Sequence, residues 1–351
     1  MALAGLGLSD TPFHEPFHGA TPGPYHPVTF CNLTEGTALT PTTGPGSRGS
    51  DDKEQVPPYA AGHRRRPGHD HLCPDQGGKV QGAADALQRA KRATADGSRL
   101  RRVKRAIYVA PFGELADPRV LAELAVAAEE RGWDGFFVWD HIVYRAPVRA
   151  VADPWVALAA VACATSSLRI GPLITPLARR RVHKVARETV TLDLLSSGRL
   201  TLGVGLGGTR NGELEPFGEI VDPIERARLL DQGLDDLVRF WAGEFKPLPV
   251  QEPRIPVWVA AVWPHRRPVR RALRWEGVFP IGLPGPEALA ELTGEIRESR
   301  RADDPFDVVV DIAPGDDTEP WVRAGATWIV TDFGMQPTKA EVREVIDAGP
   351  G

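Results

Sequence analysis

From Arg105 onward the chain alternates short apolar runs with stretches whose apolar positions recur every three to four residues. The runs are 105–111 (RAIYVAP), 134–140 (DGFFVWD), 168–174 (LRIGPLI), 199–205 (RLTLGVG), 255–261 (IPVWVAA), 277–282 (GVFPIG), 306–312 (FDVVVDI) and 326–332 (ATWIVTD). Near-continuous hydrophobicity over so few residues is how parallel strands buried on both faces read. Helical material follows each run. The first helix sets Leu121, Leu124, Ala125 and Ala128 on one face, with Asp117 as its cap, Pro118 at its first position and Gly132 as its stop. The Asp-Pro start recurs at Asp153-Pro154 and Asp222-Pro223, and Glu225 adds capping-box spacing to the last. Eight strand-helix units within roughly 250 residues predict an α/β fold closed as a (β/α)8 TIM barrel, since an open doubly wound sheet usually stops at about six strands.

This patterning is missing before Val103. The first 102 residues, with stretches such as TPTTGPGSRGSDDKEQVPPY, carry no sustained period of 2 or 3.6 and cannot bury enough apolar surface to order themselves. The expected organisation is therefore a low-complexity, disordered extension over 1–102 and one domain over 103–351. His69, His71 and Cys73 alternate within GHDHLC, but three isolated ligand types in a flexible tail do not make a metal site, and no metal is expected. The basic lead into VKRAIYVAP also raises the expectation that translation starts at Val103. Intact mass of the native protein checks it, and a full-length product overturns it.

Composition narrows the function classes. With 42% hydrophobic and 25% charged residues and a net charge of −4, the chain reads as a soluble protein without the basic surface that nucleic acid requires. Its three cysteines, Cys31, Cys73 and Cys163, are too scattered for a disulfide framework. No run is long enough to span a membrane, and MALAGLGLSD lacks the basic and apolar regions of a secretory signal. The expected location is the cytoplasm.

In such a barrel the chemistry gathers at the C-terminal ends of the strands, which draws attention to Pro111-Phe112, Asp140-His141, Thr175-Pro176, Leu206 to Gly208, Val262-Trp263, Gly282 and Thr331-Asp332. His141 carries the group best suited to proton transfer near neutral pH, or else is a polar strand end bonded to a loop. Asp140 either orients that imidazole or caps a turn. His183 reads as a solvated helix end. LGVGLGG (202–208) lacks Gly-x-Gly-x-x-Gly spacing and runs into a loop rather than a helix, so its glycines more simply admit a flat ligand. Arg266, Arg267 and Arg270 crowd a helix start, where they form a phosphate site or a solvated basic face. Glu213 and Glu215 lie in the loop after the fourth strand with nothing to set them across a glycosidic bond. Metal-ligand spacing and a Gly-x-Ser-x-Gly elbow are both lacking.

Four segments occur in a telling order: GWDGFFVWDH, LRIGPLITPLARRRVHKVARETVTLDLLSSGRLTLGVGLGG, NGELEPFGE and IPVWVAAVWPHRRPVRRALRWEGVFP. On these, the domain from Val103 to the end resembles the bacterial luciferase-like flavin-dependent oxidoreductases. The resemblance implies a barrel that binds reduced FMN, or the deazaflavin coenzyme F420, across its mouth. It implies that His141 is the active-site histidine, with Asp140 as its acidic neighbour. Pro172, Leu173 and Ile174 would form the bulge or non-prolyl cis peptide against the ring, and Leu206, Gly207 and Gly208 the loop beside the ring and ribityl chain. Ala260, Ala261, Val262 and Trp263 would form the turn that receives the phosphate, helped by Arg266. Two features depart from the pattern: Leu206 stands where bioluminescent members have arginine, and little chain separates the last two units. The implied activity is that of a monooxygenase using reduced FMN and oxygen on a small organic substrate. The alternatives are a deazaflavin-dependent reductase or dehydrogenase and a non-catalytic flavin-binding protein. Implied partners are the substrate, a flavin reductase and a second copy in a homodimer.

Overall fold

The computed structural model describes residues 102–301 and 304–351. The expectations of a disordered extension, of no metal at His69, His71 and Cys73, and of a start at Val103 concern residues that, Arg102 and Val103 aside, lie outside that range.

Nine parallel strands form among the described residues: β1 (Lys104–Val109), β2 (Gly135–Val138), β3 (Arg169–Pro172), β4 (Thr175–Pro176), β5 (Leu202–Gly205), β6 (Val257–Val262), β7 (Gly277–Ile281), β8 (Asp307–Ile312) and β9 (Trp328–Asp332). The sheet order is β3-β2-β1-β9-β8-β7-β6-β5-β4. Seven of the nine correspond to whole expected runs. The third run, 168–174, yields β3 alone; β4 follows just beyond it, past the cis Leu173-Ile174 peptide, and the two pair separately. The first, β3, bonds to β2. The second, β4, bonds to β5 through Thr175 opposite Val204 and Pro176 opposite Gly205. The ring closes below that break, where the Ile170 amide donates to Arg199 O at 3.0 Å and the Thr201 amide to Ile170 O at 2.9 Å. The structure is a (β/α)8 barrel whose third stave is broken at the mouth.

Gly171 is required at that seam. A Cβ there would fall 1.9 Å from the carbonyl oxygen of Thr201, a backbone atom with little room to retreat. Gly171→Ala is therefore expected to part the closing strands and cost about 1–3 kcal/mol. A lowered denaturant midpoint at unchanged slope would show it.

The helices are α1 (Pro118–Glu130), α2 (Pro154–Ala164), α3 (Val182–Leu195), α4 (Pro223–Arg239), α5 (Arg266–Ala272), α6 (Pro286–Ser299), α7 (Glu319–Arg323) and α8 (Lys339–Ala348). The repeated Asp-Pro starts work as expected: Asp117, Asp153 and Asp222 each accept amides of the first turn of α1, α2 and α4. Glu225 differs from expectation. Its carboxylate pairs with Arg228 one turn along, where a full guanidinium outcompetes a single cap amide. A capping box does form at Thr338 and Glu341 of α8.

Two apolar layers result. Between sheet and helices lies a continuous core that includes Val109, Phe136, Leu158, Leu202, Val259 and Leu289. Inside the barrel, Tyr108, Phe137, Leu173, Trp258, Phe279, Val309, Trp328 and Val330 fill the interior. Phe137, Trp258 and Trp328 meet with ring centroids 5.2–5.9 Å apart. With its floor packed by aromatics, the barrel leaves only the mouth for a ligand.

Candidate functional site

Strand alternation decides what the mouth presents. Trp258 and Phe279 point inward, so Ala260 and Val262 of β6 and Ile281 of β7 do as well, one or two steps nearer the mouth. Val262 is 49% exposed and Ile281 38%, apolar side chains left open where the sheet meets solvent. Ala261, of opposite parity, is buried in the layer under the helices, and Leu206 and Trp263 pack against that same layer. Leu173 joins the interior cluster and Ile174 packs on it. Gly207, at φ +75°, turns the chain after β5 in a conformation that side chains rarely adopt. The amides of Leu206, Gly207 and Gly208 donate to no acceptor among the described residues. Trp139, the next inward position past β2, directs its buried indole N–H at the Asp332 carboxyl, which it helps to lower.

His141 stands three residues past the end of β2. Its ring lies among Tyr144, Trp139 and Phe112, at centroid distances of 4.9, 5.8 and 5.9 Å. Nδ1 is 2.8 Å from Oε2 of Glu213, a fully buried carboxylate brought 72 positions along the chain by the loop after β5. The other oxygen of Glu213 accepts the Ile142 amide at 2.9 Å and the Arg179 guanidinium at 2.8 Å. Burial alone would raise the Glu213 carboxyl, but its bond to His141, the imidazole's charge, the Ile142 amide and Arg179 together hold it below its ordinary value. A carboxylate fixed on Nδ1 sets the ring's tautomer and plane. Nε2 makes no hydrogen bond among the described residues and is the nitrogen left for chemistry.

Asp140 is placed differently from its neighbour. It is 1% exposed, and its carboxylate accepts Thr175 Oγ1 at 2.8 Å and Arg180 at 2.6 Å, with Arg179 at 3.4 Å. It thus binds the broken third stave to β2, and Arg179 links it to Glu213. The carboxylate that orients the imidazole is Glu213. Distance along the chain hid that role, although Glu213, like His141, belongs to a segment leaving a strand's C-terminal end.

Arg266 stacks over the Trp263 ring at 4.4 Å, and its guanidinium donates to Glu291 at 2.6 Å and Glu295 at 2.9 Å of α6. A phosphate at this arginine would have to compete with both carboxylates for the guanidinium's charge. His265 begins the short helix α5 from the exposed turn before it.

Two further inward carboxylates, Asp311 of β8 and Asp332 of β9, face a cavity of about 840 Å³ at the barrel's rim. Asp316, Glu341 and Glu344 also line it, and no lysine or arginine does. Burial raises both carboxyls; Asp311 nonetheless presents surface to the open cavity. Asp332 is carried from 3.8 to about 6, chiefly by burial, against the pull of the Gly334 amide and the Trp139 indole and with a push from Asp311. The folded chain then holds a proton that the unfolded chain has released between about pH 4 and pH 6, so this group's contribution to stability falls as pH rises through that window. Asp332→Asn keeps an acceptor for the Gly334 amide, 3.1 Å away. It is expected to stabilise the protein by about 1–3 kcal/mol near neutral pH and to give no gain below about pH 4. Thermal melts at the two pH values check this.

No helix among the described residues is long and apolar enough to cross a membrane, and no group of three or more His, Cys, Asp or Glu there could hold a metal ion.

Comparison with known proteins agrees with this architecture. The family model described as luciferase-like monooxygenase matches residues 97–330. The F420-dependent glucose-6-phosphate dehydrogenase of Nakamurella multipartita is 33% identical over 133 residues, which is 36% of this chain and 38% of that protein. The chain thus spans under two-fifths of the length of this relative. Among solved structures, a coenzyme F420 dependent tetrahydromethanopterin reductase from Methanopyrus kandleri superposes with a TM-score of 0.54 at 16% identity, covering 70% of this chain and 97% of that one. The monooxygenase RslO1 from Streptomyces bottropensis superposes with a TM-score of 0.57 at 18% identity, covering 70% and 96%. At such identities the two structures speak for the fold.

Proposed function

The chain belongs to the luciferase-like monooxygenase family, a family of oxidoreductase enzymes, and from that premise we propose that its barrel mouth binds a deazaflavin and serves hydride transfer with a small organic substrate. The observation that carries this reading is the His141–Glu213 couple: a buried carboxylate fixes Nδ1 and leaves Nε2 beside an apolar mouth, as a group that moves a substrate proton requires. A bound deazaflavin would supply or accept the hydride; His141 would take the proton from, or return it to, the substrate oxygen that gains or loses carbonyl character. Glu213 would hold the imidazole in place and balance its positive form.

The residues fit a tricyclic ring. Val262 and Ile281 offer open apolar walls, Leu173 and Ile174 a packed floor, and the amides of Leu206 to Gly208 offer donors that meet no acceptor among the described residues. The phosphate is less well served by Arg266, which is already paired. The acid-lined rim over β8 and β9 argues against a phosphorylated sugar, the substrate named for the Nakamurella relative, and for a neutral or cationic molecule.

The second reading, an FMN monooxygenase, is supported by the family description and by monooxygenases among the similar structures. Titration of the purified protein with FMN and F420 side by side, with oxygen uptake followed under a reductant, separates the two. Selective F420 binding without oxygen uptake is the expected result. Tight FMN binding with oxygen consumption would overturn it in favour of the second reading.

A further inference from the structure

Arg226, in the first turn of α4, is 5% exposed and bonds to no carboxylate among the described residues. Asp222, whose charge acts on it, has its own carboxylate on the amides of Ile224 and Glu225. The guanidinium instead donates to three backbone carbonyls: Nη1 to Leu206 O at 3.0 Å and Gly207 O at 2.9 Å, and Nε to Val221 O at 3.2 Å. Burying an unpaired cation is costly unless its donors are satisfied, so the arrangement calls for an explanation.

Those three oxygens provide one. Leu206 and Gly207 begin the loop that leaves β5, and Val221 ends it just before α4. Between them lies Glu213, the buried partner of His141 and of the Ile142 amide. The rest of the loop holds itself through little more than the turn at 214–219, and Phe217, Ile220 and Val221 are exposed. One guanidinium thus fastens both ends of the loop at a single point.

We propose that Arg226 is a positioning residue: it clasps the 206–222 loop, aiming the amides of the Leu206–Gly208 turn at the mouth and seating Glu213 against His141. The cofactor-facing half of this inference rests on the reading of the mouth as a flavin-type site; the seating of Glu213 does not. With both carbonyls of the turn drawn to Arg226, its unbonded amides are the groups left to meet a ligand, and no side chain on the loop duplicates the clasp. Arginine suits the role because its planar fork reaches two carbonyls and a third at once, which a lysine ammonium on a single stem does less well.

Hydrogen exchange of the apo protein, paired with cofactor titration, tests it in Arg226→Met and Arg226→Lys. The Met variant is expected to speed exchange of the Ile142 amide and of the bonded loop amides of Phe217, Gly218 and Glu219 by about tenfold or more, while protection in the β1, β8 and β9 ladder stays as in the wild type. It should also weaken binding of whichever of FMN and F420 the wild type takes up by about tenfold or more, with the Lys variant between. A merely structural role would loosen the barrel as a whole and show no ordering of Met, Lys and Arg at Ile142. Unchanged exchange at Ile142 and in the loop would overturn the clasp, and so would faster exchange everywhere. If the wild type binds neither cofactor, the reading of the mouth fails while the exchange result still decides the clasp. Should the Met variant not fold, the same two measurements on the Lys variant decide it: local loosening with weakened binding supports the proposal, and wild-type behaviour in both overturns it.

Discussion

Replacing His141 with alanine is expected to lower turnover by roughly 100- to 10,000-fold, the range that a positioned acid-base group contributes, with little change in cofactor affinity. The expectation follows from what the ring touches. One nitrogen is bound to a buried carboxylate, aromatic side chains surround the ring, and no hydrogen bond among the described residues uses Nε2. A side chain so held adds little to the grip on a cofactor and much to the placement of a proton. Substrate turnover, measured with whichever cofactor the titration selects, gives the first half of the result, and fluorescence quenching of that cofactor gives the second. Turnover within about threefold of the wild type would assign the proton to another group. A protein that binds cofactor tightly and turns nothing over, with or without His141, would be a flavin carrier.

Most of the scaffold was legible in the sequence because its signals are local. A parallel strand announces itself by a short apolar run, and Asp117, Asp153 and Asp222 announce helices by an acceptor set just before proline. What the periodicity missed depends on contacts distant in the chain. The third apolar run leads straight into Thr175-Pro176, yet β3 and that segment pair with different neighbours, and no local pattern records a change of partner. Glu213 is an unremarkable loop glutamate until the barrel brings it to His141. The resemblance treats 260–263 as one phosphate-binding turn, although strand parity along β6 already separates inward Ala260 and Val262 from outward Ala261. The same parity, applied to β8 and β9, would have placed Asp311 and Asp332 at the rim. Arg266 shows the opposite limit: basic residues at a helix start suggested an anion site, and the acidic face of α6 answers them within the chain.

Removing the Glu213 carboxylate should cost stability as well as activity. Glu213→Ala leaves Arg179, with a side chain only 3% exposed, dependent on Asp140 alone, and strips the Ile142 amide and His141 of their shared acceptor. Breaking one side of a buried ion pair typically costs about 3–5 kcal/mol, and the low end applies because Asp140 still holds part of the guanidinium's charge. Glu213→Gln preserves an acceptor for the Ile142 amide and should lose less. The pH dependence gives the sign. The folded chain holds this carboxyl below its ordinary 4.5, so it releases its proton more readily there than in the unfolded chain. Its stabilisation is complete above about that pH and is lost as pH falls through the folded value. The gap between wild type and Glu213→Gln in urea midpoint should therefore be widest near neutral pH and close in acid. A gap that persists undiminished below the folded value would mean that the side chain's shape, rather than its charge, seats the loop.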